Sequence, residues 1–149
     1  MMKSFKAILM LVLFSGMVSM AEAQVVNIPA AAKEHFLKNY ASAQEADWSN
    51  NVSNYTVRFK SNGADMRAHY RLDGTWNFTE TLLTTGDIPK SVKSSYDKSR
   101  FSDWEIVSVA KVDNDNKQHL YRIEAKKGIA KEFVFYNKKG KEIKTAATL

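Results

Sequence analysis

Two periods of hydrophobic and polar positions alternate along the chain. A helical stripe comes first: Ala32, Phe36 and Tyr40 recur every four residues after Ile28-Pro29. Period-two alternation follows in "NYTVRFK", "DMRAHYRL" and "TWNFTETL", preceded by "EADWSN", and these segments predict four strands. The same order then returns. Ile88-Pro89 opens a stripe of Val92 and Tyr96, and "DWEIVSVAKV", "HLYRIEAK", "KEFVFYN" and "KEIKTA" predict four more strands. Pro29 and Pro89 suit the first turn of a helix, where a missing N–H costs nothing, with Asn27 and Asp87 as cap-like residues before them. Ile28 and Ile88 lie 60 residues apart, whereas the turn glycines Gly74 and Gly140 lie 66 apart, so the second unit carries a six-residue insertion. The pattern predicts an α+β fold: a tandem repeat of one helix plus four antiparallel strands, residues 24–86 and 87–149, forming one domain with both helices packed on one face of the sheet.

Turn chemistry sets the register. A connection from Ser61 to Ala64 places Tyr55 opposite Tyr70, Val57 opposite Ala68, and Arg58 opposite Arg67. One face of that hairpin is apolar, and the other carries Thr56, Arg58, Lys60, Arg67, His69 and Arg71. A three-residue loop, Leu72 to Gly74, puts Trp76 beside Tyr70 and Phe78 beside Ala68 on the core face, with Asn77 and Thr79 outside. Trp48 and Trp76 are expected to be buried. In the second unit Tyr121, Ile123, Val134 and Tyr136 face the core, while Leu120, Phe133, Phe135 and Ile143 face outward. Such an outer face is either an open apolar patch or is covered by a bulge or terminal segment. Arg58, Arg67, His69 and Arg71 at one end, and Phe133 and Phe135 at the other, are the candidate partner-binding residues. The facing arginines repel unless something anionic or well solvated lies between them.

The N-terminus bounds the compartment. Lys3 and Lys6 precede 14 largely apolar residues, Ala7 to Met20, and then Ala21-Glu22-Ala23, the small-x-small pattern of a signal peptidase site. The run falls short of the roughly 20 apolar residues that cross a bilayer. Residues 1–23 are therefore expected to be a removed signal peptide, leaving a periplasmic or secreted protein with no membrane span. The chain has no cysteine, so neither disulfides nor a lipidated cysteine contribute. The formal charge of +6 falls by one on cleavage; that mild excess favours acidic protein surfaces over nucleic acid, which calls for denser clusters of Lys and Arg.

Catalytic signatures are missing from the sequence. His35, His69 and His119 fall on a helix and two separate strands without metal-ligand spacing, and are read as surface residues with no metal or cofactor to hold. No Gly-x-Ser-x-Gly elbow or phosphate-cradling glycine loop occurs.

The Ile-Pro helix start, "ADWS" with Trp48, "YTVRF", the "LDGTW" turn and the second Ile-Pro together resemble the PepSY-like family of small exported bacterial proteins, whose fold is like that of the β-lactamase inhibitory protein. The resemblance covers almost the whole mature chain. It implies a binding or inhibitory module, not an enzyme, with no catalytic residues to carry over. The expected function is an exported non-catalytic binding module that presents its outer sheet face to an envelope or secreted protein with an acidic surface, enzyme inhibition being one form of that binding. The alternative is a small-molecule or peptide carrier using a cleft between the repeats.

Overall fold

The computed structural model describes residues 27–144. The expected signal peptide, residues 1–23, lies outside them, as do Thr145 and Ala146 of the last predicted strand. The elements run α1 (Ala30–Asn39), β1 (Gln44–Asn51), β2 (Asn54–Ser61), β3 (Ala64–Tyr70), β4 (Trp76–Leu83), a 3₁₀ turn (Thr85–Asp87), α2 (Lys90–Asp97), β5 (Glu105–Asn114), β6 (His119–Lys127) and β7 (Ala130–Asn137). All seven strands form one antiparallel sheet in sequence order. The last predicted strand is reduced, among the described residues, to an isolated bridge between Tyr136 and Glu142. Four strands thus follow α1, and three strands and a bridge follow α2.

Both helices lie on the same face, because the sheet has two cores on that side. Ala32 and Phe36 of α1 pack on Val57, Phe59, Ala68 and Tyr70. Val92 and Tyr96 of α2 pack on Val109, Ile123, Val134 and Tyr136. The ladder pairs Leu83 with Val109 and Val109 with Ile123, while Val57 pairs with Ala68, so alternation carries one face across all the strands. Pro29 and Pro89 stand at the N-cap without a side-chain cap; Asp87 instead closes a capping box with Thr84 on the 3₁₀ turn.

The first hairpin has the expected register throughout. The next holds only at its start. Arg71 N–H donates to Thr75 O, which closes the three-residue loop and sets Trp76 opposite Tyr70. A bulge then follows, and His69 pairs with Phe78 and Ala68 with Thr79. One extra residue reverses every later side chain. Phe78 is therefore on the outer face, and Thr79 on the helix face, both opposite to expectation. Trp48 and Trp76 do face the helices but are only half-buried.

Two glycines seat the helices on the loops. Gly74 (φ 86°) and Gly140 (φ 82°) occupy the left-handed region; a Cβ on Gly74 would lie 2.8 Å from Pro29 Cβ, and one on Gly140 would lie 2.5 Å from Ser91 O. Gly140→Ala is expected to cost about 2–4 kcal/mol, combining left-handed strain with a backbone clash. Gly128→Ala, also left-handed but with open space around its Cβ, should cost only about 1–2 kcal/mol. Urea unfolding of the two variants checks the difference.

Candidate functional site on the outer face of the sheet

Facing away from the helices, Asp47, Arg58, Arg67 and Glu80 stand in one row across β1 to β4. This arrangement resolves the like-charge pair. Arg58 and Arg67 are adjacent as predicted, but Arg58 Nη2 donates to Asp47 Oδ2 at 3.1 Å, and Arg67 has Glu80 on its other side. Glu80 is the centre of the face. Its residue is only 2% exposed; Arg122 Nη1 of β6 lies 2.8 Å from Oε1, and His69 Nε2 lies 3.3 Å from Oε2. Burial alone would raise the Glu80 pKa, but the His69 hydrogen bond and the positive field of Arg122, His69 and Arg67 outweigh it, so the net shift is downward.

The polar chain continues in both directions. His69 stacks on Phe78 with ring centroids 4.1 Å apart, and its Nδ1 lies 3.2 Å from Thr56 Oγ1. The Arg122 guanidinium lies over the Phe133 ring, 5.0 Å from its centroid. The order Thr56–His69–Glu80 is that of a hydroxyl, imidazole and carboxylate relay. Thr56 is buried, however, and its hydroxyl already donates to Asn54 Oδ1 and accepts from Asn51 Nδ2. The relay therefore reads as a brace across the strands.

Beside it lies an apolar cluster of Phe78, Val112, Leu120 and Phe135, with Ile143 packed against it. The two candidate phenylalanines differ: Phe135 is 7% exposed and Phe133 is 49% exposed. Of the expected apolar patch, Phe135 and Leu120 are thus largely covered, and Phe133 is the accessible member. A groove of about 950 Å³ runs past it, walled by Phe78, Phe133, Phe135 and Ile143, with His69, Glu80 and Arg122 among its polar lining.

The six predicted residues thus divide into groups. Arg58, Arg67 and His69 share the basic end, and Phe133 and Phe135 adjoin the groove. Arg71 belongs to the fold: Nη1 donates to Trp76 O at 3.1 Å, while Nη2 donates to Asn77 Oδ1 at 2.8 Å and Asp115 Oδ2 at 2.6 Å. Sequence reasoning missed Glu80 and Arg122. The available signal was a glutamate flanked by threonines in the apolar "FTETLL", but its face depended on the bulge. Neither His35 nor His69 is a plain surface residue: His35 stacks on Trp76, with its Nδ1 3.1 Å from Tyr70 OH, whereas His119 is exposed.

Solved structures share this architecture. A BLIP-like protein from Bacteroides fragilis superposes with a TM-score of 0.68 at 17% identity, covering 80% of this chain and 86% of that one. The fold is BLIP-like. A protein assigned to the periplasm of Bacteroides eggerthii matches at 25% identity and a TM-score of 0.67, over 79% of this chain and 87% of its own. A DUF2874 family protein from Bacteroides uniformis matches at 22% identity and a TM-score of 0.68, over 79% and 88%. No family model matches the chain, and no curated protein does. The chain is periplasmic or secreted, in keeping with the Bacteroides eggerthii neighbour, and no helix among the described residues is long and apolar enough to cross a membrane.

Proposed function

We propose that this BLIP-like chain is an exported, non-catalytic binding module whose outer sheet face captures a protein partner with an acidic surface. The observation that carries the reading is Phe133, half-exposed beside a groove of mixed polar and apolar lining, with the Arg122 guanidinium held over its ring. An accessible aromatic on a fixed support is a good anchor, because little side-chain entropy is lost on docking. Arg58, Arg67 and His69 form the steering end, and Phe135 backs the groove. Enzyme inhibition is the form of binding that the likeness to an inhibitor fold suggests. Grouping with PepSY-like exported proteins belongs to the same reading and rests on the Ile-Pro, "ADWS" and "LDGTW" motifs.

The reading includes a duplication, with units 24–86 and 87–149. Its support is positional: Tyr70 and Tyr136, both fully buried, and Gly74 and Gly140, both beneath a helix start, keep the same 66-residue offset.

The test is affinity capture from the exporting cell's periplasm and medium. Phe133→Asp should weaken capture about thirtyfold, the equivalent of a 2 kcal/mol hot spot, without loss of folding. Arg67→Gln should slow capture and reduce its salt dependence. Recovery of the same protein at wild-type strength by both variants would refute the outer face as the binding surface.

A further inference from the structure

The whole net charge of the mature chain sits in its second half. Residues 24–86 carry six Lys and Arg against six Asp and Glu, whereas residues 87–149 carry fourteen against nine. The fold then sorts that excess. In an antiparallel sheet built in sequence order the connections alternate between its two ends, so the β3–β4 loop, the β5–β6 turn and the loop after β7 share one end. Ser91 Oγ donates to Lys138 O at 2.7 Å, which seats the start of α2 on the last of these loops. Lys90, Lys117, Lys138, Lys139 and Lys141 therefore gather at that end, all of them exposed. None forms an ion pair among the described residues, whereas Lys93, Lys111, Lys127 and Lys131 all do. The nearby acids compensate little: Asp73 accepts from Thr75, Asp87 from Thr84 and Asp115 from Arg71, which leaves Glu142 among five lysines.

An apolar side chain stands beside them. Leu72 of the β3–β4 loop is 55% exposed. The Arg71–Asp115 ion pair ties its loop to that of Lys117, and the pairing of Leu120 with Asn137 makes the two lysine-bearing loops neighbours. The opposite end of the sheet differs. Ile129 is fully exposed there, but Lys127 and Lys131 on either side of it are held by Asp103 and Glu124.

The choice of cation narrows the partner. Lysine is a compact, hydrated point charge on a flexible stem, without the planar fork by which arginine fixes a carboxylate. Five unpaired lysines with no free Arg, Trp or Tyr among them lack the usual anchors of a protein interface. A layer of anionic headgroups needs no such anchor, because its attraction is diffuse and an aliphatic side chain entering the boundary of the acyl chains adds to it.

We propose that this end of the molecule rests on an anionic lipid surface, with Lys90, Lys117, Lys138, Lys139 and Lys141 among the headgroups and Leu72 entering the interface. The contact is peripheral and leaves the outer face of the sheet open.

Cosedimentation of the mature protein with equimolar phosphatidylglycerol and phosphatidylcholine vesicles tests it. Binding should be saturable at low salt, absent with phosphatidylcholine alone, and lost as salt screens the lysines. Lys138→Gln with Lys139→Gln should weaken binding about 25-fold, roughly fivefold for each lysine near an anionic surface, with an unchanged melting curve. Leu72→Ser should weaken it about tenfold. Ile129→Ser at the opposite end, and Phe133→Asp on the outer face, should leave it unchanged, which separates this inference from the outer-face reading. No binding to the anionic vesicles, equal binding to neutral ones, or binding indifferent to both the lysine and the Leu72 variants would overturn the proposal. Loss of a captured acidic protein by the lysine variant, without vesicle binding by wild type, would overturn it too and assign the patch to a protein partner.

Discussion

Replacing Glu80 by leucine is expected to lower stability by about 3–5 kcal/mol, the usual result of removing one member of a buried ion pair. The penalty comes from what is left behind. Arg122 would keep its charge in a nearly closed site where Nε already has no partner among the described residues, and His69 would lose the acceptor that orients it. Replacing the pair together, Glu80→Leu with Arg122→Met, should recover most of the loss, since no orphaned charge remains. A double-mutant cycle by urea unfolding measures the coupling. The pH dependence follows from the downward Glu80 shift relative to its unfolded value of 4.5. A depressed carboxylate contributes stability that is complete above the unfolded pKa and is lost as the pH falls through the folded one. Wild type should therefore lose stability on acidification below about pH 4.5 in a way that the double variant does not.

Residues 24–86 expressed alone should fail to fold, and the full mature chain should unfold in one transition. A unit of roughly 60 residues without disulfides or metal is marginal by itself. Cutting here would also strip the six-pair ladder between β4 and β5, the Glu80–Arg122 ion pair, and the Arg71 link to Asp115. Phe78 would lose its cluster partners Val112, Leu120 and Phe135, all in the second half. Two resolved calorimetric transitions in the full chain would show instead that the halves are separate domains.

Local chemistry made most of the fold legible. The Ile-Pro starts located both helices, "SNGA" set the first hairpin, and Gly74 and Gly140 marked the two three-residue loops. What the sequence did not reveal was the bulge between His69 and Phe78, because a single extra residue leaves the hydrophobic alternation looking intact while reversing the faces beyond it. That reversal brought Phe78 and Glu80 outward. Glu80 in turn converts an apparent array of repelling cations into a braced network, and pairing across β4, β5 and β6 is not visible to local patterning. Phe133 and Phe135 were placed on the correct side, but their different burial depends on Ile143 and on Phe78, one misassigned and both distant in sequence or register.

Hydrogen–deuterium exchange on the protein bound to its captured partner tests the central claim most directly. The outer-face account predicts new protection in β7 around Phe133 and in β2 and β3 around Arg58 and Arg67, with α1 and α2 unchanged. Protection confined to α1 and α2, with β7 exchanging as in the free protein, would contradict it.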